Sequence, residues 1–435
     1  MKTAASVPFG ATTLVAALVT LLGGGSPACG SSSDPGAALE AEAVVERRTE
    51  GAVTTVRNAA GSQWGGAGTL AEELSIGVLE GDEEYMLGGV SGLWVTEEHV
   101  YVADVQVPVV RVYDRDGRWI RDIGQEGQGP GEFRRPRDVA VLPDGTVVVV
   151  DGGNRRLVFF DPAGNPQRTW TPEGGHLSGV DVTRDGTLLV RQMLPREDDG
   201  SPGVIIPSSA LTPVGADGSA GEPRLPPMLG FEADPLVVRE GRSTIAFAGN
   251  TLFRPDHVWT VRPDGAIVAG VGDEYGFEIH HPDGSVIAVE RFPDPVPVHP
   301  DEAAYAVEAI EATVHQLAPG WTYDGAVPDT KPAFTSLTAD RDDRIWVGRP
   351  GEAHRIDDCV ENPADDPDTA MQRPCWQSPT LVDLFAPDGT YLGPVDRPAD
   401  LDFRRTFIAG DEYWAAVVDE AGLVTVRRFR IRPPS

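Results

Sequence analysis

The chain has 435 residues, of which 67 are acidic and 36 basic, for a formal net charge of −31. That balance repels phosphate backbones and argues against a nucleic-acid partner, and because the acidic residues are scattered it reads as solubility and self-repulsion. Fifty glycines and 38 prolines suit many short strands joined by tight turns better than a helical bundle, and closed β-architectures hold chains of this length as one unit.

At the N-terminus, Lys2 precedes an apolar run from Leu14 to Leu22. The run is too short to span a bilayer and has the form of a signal-peptide core. It is followed by Gly23-Gly-Gly-Ser-Pro-Ala28-Cys29. A Cys after a small residue in this place resembles a lipobox, where the thiol is acylated and the chain is then cut before the Cys. Residues 1–28 therefore read as a signal peptide, and Cys29 as the lipid attachment that holds an exported protein at a membrane of the cell envelope. Ser26 and Pro27 depart from the usual lipobox residues, and Ser26-Pro27-Ala28 also has the small-x-small form of ordinary signal-peptidase cleavage. Gly30 carries no inner-membrane retention charge, so the expected location is the outer membrane, where the organism has one, or the cell surface. Residues 29–71, rich in Gly, Ala, Ser and Glu, read as a flexible tether, and 72–435 as the folded domain.

The folded part begins with a strand-like segment, Glu73-Leu-Ser-Ile-Gly-Val-Leu79, and then a repeat. Gly92 to Asp104 aligns with Asp138 to Asp151, each a strand, a tight turn and a strand ending in Asp. A third strand (Val109–Tyr113, Arg156–Phe160), a turn and a fourth strand (Trp119–Ile123, Gln167–Trp170) follow in both. A spacing of about 47 residues suits four-stranded propeller blades. The pattern recurs from Gly179, from His257, from Leu337 and from Phe403. Asp-Gly pairs beginning at 144, 185, 264, 283 and 388 punctuate it as two-residue hairpin turns. The fold class is thus all-β, a six-bladed β-propeller. Only three strands are visible in the last blade, and the 73–79 segment is expected to supply the fourth and close the ring, since an open ring leaves edge strands at the seam.

Two insertions interrupt the repeat. Asp301 to Leu317 has helical spacing of apolar residues. It reads as a helix either packed on the rim or capping one axial opening. Cys359 and Cys375 flank an Asp- and Pro-rich stretch in blade five. Exported proteins rarely keep an odd free thiol, so a Cys359–Cys375 disulfide leaving Cys29 for lipid is the economical pairing. A metal pair would need further ligands at short spacing, which the sequence lacks.

Gly124-Gln-Glu-Gly-Gln-Gly-Pro-Gly-Glu-Phe133, Pro136-Arg-Asp-Val-Ala-Val, Asp144-Gly, Asp151 and Asn154-Arg-Arg-Leu157 together resemble an NHL repeat over residues 87–171. The resemblance implies a scaffold used by ligand-binding proteins, membrane sensors, RNA-binding modules and metal-dependent lyases and lactonases, so fold does not settle function. No His, Glu and Asn set matches the axial metal motifs of those enzymes, and no nucleophile elbow or His-Glu-x-x-His occurs. The Gly124–Gly131 loop precedes a strand, unlike a phosphate loop, which opens a helix. His280 and His281 are adjacent strand residues and point to opposite faces. Asp151 and Asn154 read as turn-holding residues. By blade position, Asp104, Asp138, Asp151, Asp181 and Arg191 are the candidate ligand contacts. The reading favoured is a membrane-anchored binding or scaffolding module for a small molecule, glycan, peptide or protein, with no cofactor. The alternative is a propeller hydrolase or lyase with Ca²⁺ or another divalent metal at the axis.

Overall fold

A computed structural model describes residues 43–172, 176–194, 208–215, 218–232, 236–240, 243–247, 251–367, 374–398, 402–419 and 421–434. Cys29 and the leader lie outside them. The Asp-Gly pairs at 144, 185, 264, 283 and 388 all work in one way. Each Asp carboxylate accepts the N–H two residues on, as in Asp144 to Thr146 (2.9 Å) and Asp388 to Thr390 (3.0 Å). The following Gly has φ between +83° and +87°. Leu142 and Thr146 close the loop around Pro143-Asp144-Gly145, so three residues, not the expected two, form the turn. The Asp stays in ordinary backbone space and only the Gly takes the left-handed conformation, as in a type I turn ending in a bulge.

Between these turns the strands assemble into six blades. Blade one comprises Val90–Val95, His99–Asp104, Val109–Asp114 and Trp119–Ile123. Pro136–Val141, Val147–Asp151, Arg156–Phe160 and Pro166–Trp170 form blade two. In blade three, His176–Val182, Leu188–Leu194 and Ser208–Val214 are edged by bridges from Leu211 to Arg224 and from Val214 to Ala220. Blade four is His257–Val261, Ile267–Val271, Gly276–His280 and Val286–Arg291, and blade five is Ser336–Ala339, Ile345–Pro350, Thr380–Phe385 and Tyr391–Asp396. Blade six takes Asp402–Ala409, Glu412–Val418 and Val424–Arg432 from the C-terminus. Its fourth strand is Gly68–Ile76, antiparallel to the last. The N-terminal segment closes the ring as expected, with bounds earlier than 73–79.

The core lies between blades. Tyr101, Val110, Val112 and Phe133 of the first blade and its outgoing loop meet Val139, Val147, Val149 and Phe160 of the second. The opposite face of blade two meets blade three through Val148, Val150, Phe159, Leu177 and Val190. Alternate residues of one strand thus serve two interfaces, because side chains alternate across a sheet.

The tether expected over 29–71 is corrected over residues 43–71, residues 29–42 lying outside the described ones. Val44–Glu50 and Val53–Ala60 form a hairpin whose second strand pairs in parallel with Val286–Arg291. It extends blade four to six strands because Val56 is buried at 1% exposure, and because Asn58 bonds the Gly389 carbonyl and the Tyr391 N–H of blade five.

Helix α1 (Pro300–His315) starts with the His299 side chain accepting from Asp301 N and Glu302 completing a capping box. Glu302 and Lys331, 6% and 1% exposed, pair at 2.8 Å. One side of α1, with Ile310 and Val314, packs on Val238 and Leu252; the other, with Tyr305 and Ala309, packs on Cys375. The helix is a rim excursion clasping two inserted segments. Cys359 and Cys375 form the expected disulfide, with Cα atoms 5.0 Å apart. Closing a loop with a separation of 16 stabilises by about 3 kcal/mol in the chain-entropy account. Thermal melts of Cys359→Ser/Cys375→Ser should show a loss of that order, and an unchanged midpoint would refute it.

Candidate functional site

The innermost strands set the site. In blades one, two, three and six the register slips by one residue near the start of this strand, between Val90 and Gly92, Pro136 and Asp138, Leu177 and Gly179, and Phe403 and Arg405. Such a bulge leaves one residue unpaired and re-aims the next side chain. The residues just after the slips, Gly92, Asp138, Gly179 and Arg405, stand at equivalent positions around the ring. Gly92 is required there, since a Cβ would lie 2.6 Å from Asp138 Cα. Gly179 leaves room for a carboxylate, its absent Cβ being 3.0 Å from Asp138 Oδ2.

All six inner strands line one cavity of about 360 Å³, at the small end of ligand-pocket sizes. Its charged lining is Asp138, Asp181, Arg191, Arg262, Arg341 and Arg405, four guanidiniums against two carboxylates in a chain of the opposite overall sign. Asp181 pairs with Arg191 Nε at 2.6 Å, and Arg191 lies over the Trp259 ring at 4.7 Å. Arg262 is taken by Asp264 at 2.7 Å and by the Pro387 carbonyl. Arg341 donates to Val182 O at 2.7 Å and sits 5.1 Å from the Trp94 ring. The exposed Arg405 guanidinium has no hydrogen bond or ion pair to another described residue.

Asp138 accepts from its neighbour Val139 N and from Val180 N of blade three, both at 3.0 Å. It keeps one face toward the cavity. Burial pushes its carboxyl up to about 6, with Asp181 adding to the rise and the Val180 N–H and Arg405 opposing it. Desolvation outweighs the local cations here because the carboxylate form loses water without gaining a contact ion pair.

At the end where first strands turn into second strands, Trp94 and Phe407 meet edge to face at 5.2 Å. With Arg341 they partition the cavity from a wider groove of about 900 Å³, which shares Trp94, Val182, Thr183, Arg341 and Phe407. The strand starts lie at the other end, where the insertions also emerge. Tyr305 bonds Val360 O across them, and His299 stacks on Trp376 at 4.7 Å.

The structure brings together three of the five expected residues, Asp138, Asp181 and Arg191. Asp104 and Asp151 are elsewhere, both fully buried. Asp104 accepts from Gly88, Gly89, Gln106 and Val107 N–H groups. Asp151 accepts from Arg134, Arg135 and Asn154 N–H groups and from Asn154 Nδ2 at 2.5 Å. These are turn anchors, because their oxygens are spent on orphan backbone donors. The Gly124–Gly131 loop folds onto Phe133, where a Cβ at Gly124 would meet the ring at 2.2 Å. His280 pairs with Glu278 while His281 lies by Asp264.

Trp94, Trp259, Arg341 and Arg405 line the cavity without having been singled out by sequence. For Arg405 the signal was present, since it aligns with Asp138 once blade six is laid on blade two. Among the described residues, the group of acidic, His or Cys side chains with ligand atoms clustered closely enough for a metal is Cys359, Glu361 and Cys375. Its sulfurs are bonded to each other. At the axis the surplus of guanidinium charge opposes a divalent cation, so the metal-enzyme alternative is not favoured.

A family model, DUF5128, described as a six-bladed β-propeller, matches residues 51–170. No curated protein matches the sequence. A DUF4221-family protein from Bacteroides vulgatus superposes with a TM-score of 0.52 at 11% identity, over 84% of this chain and 98% of that one. Virginiamycin B lyase from Staphylococcus aureus, in an inactive form with quinupristin, gives 0.38 at 12% identity, over 82% and 98%. At these identities the first likeness bears on the fold alone and the second carries no argument.

Proposed function

We propose that this is an exported, lipid-anchored propeller that binds a small ligand in its axial cavity. The observation that carries this reading is the cavity itself, where six separate blades contribute charged and aromatic side chains to one axial space. Scaffolding alone requires no such convergence, and polar groups converging in a concave space are what ligand sites need. In this reading the first two blades are of the NHL type, and Cys29 carries the lipid. About fifteen residues separate Cys29 from Val44, where the folded hairpin begins. No helix among the described residues is long and apolar enough to cross a membrane.

Fractionation of cells producing the full chain tests the anchor. Wild type is expected in the membrane fraction with acyl chains on Cys29, and Cys29→Ser in the soluble exported fraction. Membrane association unaffected by Cys29→Ser would refute lipid anchoring and leave the cavity reading standing.

A further inference from the structure

Six charged side chains face the axial cavity, and their commitments differ. Arg191 is neutralised by Asp181, Arg262 by Asp264 outside the cavity, and Arg341 is seated on the Val182 carbonyl and the Trp94 ring. That leaves the Arg405 guanidinium uncommitted at the mouth, on the strand position equivalent to Asp138. A guanidinium presents paired N–H donors that match the two oxygens of a planar oxyanion, and such a charge-assisted bidentate contact is stronger than a neutral hydrogen bond. Trp94, Trp259 and Phe407 with Leu93, Val180 and Leu337 supply the apolar part of the remaining lining, beside Thr183, Thr260, Thr338 and Thr406. Resting on the reading of this cavity as the ligand site, we infer that it takes a small organic carboxylate, whose anionic group pairs with Arg405 beside Asp138 and whose apolar body lies toward Trp94, Trp259 and Phe407.

Asp138 couples this binding to protons. The charged groups facing it are Asp181 of blade three and Arg405 of blade six, with Arg191 behind Asp181. Blade one's inner strand brings only backbone at Gly92. Asp104 and Arg111 on the next strands of that blade are bound to its incoming segment, at Gly88, Gly89 and Met86. A carboxylate brought to Arg405 adds negative charge near Asp138 and draws off the cation that lowers its pKa. The bound complex therefore holds the Asp138 proton more tightly than the free protein. Affinity rises as pH falls toward the free value of about 6 and levels off below it, since both states are then protonated. A further one-unit rise on binding corresponds to about a tenfold gain in affinity.

Benzoate, benzamide and benzylamine share a ring and differ in charge. Titrated into the purified full chain, with calorimetry and the indole N–H signals of Trp94 and Trp259 as readouts, benzoate is expected to bind and shift both indoles. The other two should bind at least about tenfold more weakly. Arg405→Gln should lose at least about tenfold in benzoate affinity, with Arg405→Lys recovering part. The benzoate affinity of wild type should rise about fourfold from pH 7.5 to 6, the part of the tenfold total that falls in this window, and that of Asp138→Asn should be flat. Unchanged Trp94 and Trp259 signals in the ligand-free variants would confirm that each is folded. Benzamide or benzylamine binding as well as benzoate, or Arg405→Gln binding normally, would overturn the carboxylate assignment while keeping the cavity as a site. A flat pH profile in wild type would remove Asp138 from it. If no probe moves either indole, the cavity reading and the assignment fall together.

Discussion

A chain truncated to begin at residue 78 will fail to give a cooperative unfolding transition, whereas one beginning at residue 61 will melt cooperatively at a reduced temperature. Gly68–Ile76 makes seven residue pairs with Val424–Arg432. Leu70 enters the core shared by blades five and six, beside Val395, Ile408 and Phe429. Ile76, 2% exposed, enters the core between blades six and one, beside Leu93, Tyr113 and Trp414. Glu73 pairs with Arg428 and Arg430, and the Arg430 hydrogen bond holds its carboxyl below the usual range. Removing the strand therefore exposes two inter-blade cores and one unpaired edge. At about 1.5–3 kcal/mol per large apolar side chain uncovered, the loss over several such residues matches the whole stability of a typical domain, about 5–15 kcal/mol. Removing only Val44–Ala60 uncovers Val56 and unpairs Asn58, a smaller cost at one blade edge. Circular dichroism during heating distinguishes the two chains, and matching transitions would show that the ring does not depend on its closing strand.

Asp383→Ala should destabilise the protein by about 3–5 kcal/mol, as removal of one partner from a buried ion pair does. Asp383 is fully buried on the third strand of blade five. It accepts from Tyr275 OH at 2.6 Å and Tyr391 OH at 2.9 Å, and pairs with Arg291 at 2.9 Å and Arg349 at 3.1 Å. Tyr275 and Arg291 belong to blade four, so the carboxylate joins two blades. Its loss leaves two guanidiniums facing each other without a counter-charge. Asp383→Asn keeps the volume and should cost less than Ala. Burial first, and the Asp383 charge next, raise both tyrosines above their ordinary value of 10. Their hydroxyls therefore stay donors up to pH 10 and beyond, and stability should begin to fall only as pH exceeds 10, where the unfolded chain's tyrosines ionise first. Denaturation midpoints across pH 8 to 11 test this, and Asp383→Ala melting like wild type would show the network to be dispensable.

Much of the architecture is carried by local signals that read directly from residue order. Asp before Gly marks a turn because one carboxylate satisfies a loop N–H and one residue without a Cβ takes positive φ. Val147-Val-Val-Val-Asp151 marks a strand buried on both faces. The three-stranded tail marks a ring closed from the chain's beginning. The hairpin of Val44–Ala60 was hidden because its composition is polar: its outer strand faces solvent, and only Val56 and Asn58 carry the contact. The helix was legible from its apolar spacing, but not what it packs on, since Val238, Leu252 and Cys375 are distant in the chain.

The amino-acid order by itself determined six small sheets, their turns, the disulfide and the presence of acidic residues on inner strands. Which inner side chains reach the axis was decided by tertiary structure. A strand's two faces are set by alternation, and one bulged residue near the start of four inner strands reverses the phase of everything after it. That slip puts Arg405 level with Asp138 and gathers Asp138, Asp181 and Arg405 in one space, while Asp104 and Asp151, outwardly the same kind of residue in the repeat, are consumed by turns. The slip depends on how neighbouring blades press together, as Gly92 against the Asp138 backbone shows, and no single blade's sequence contains that information.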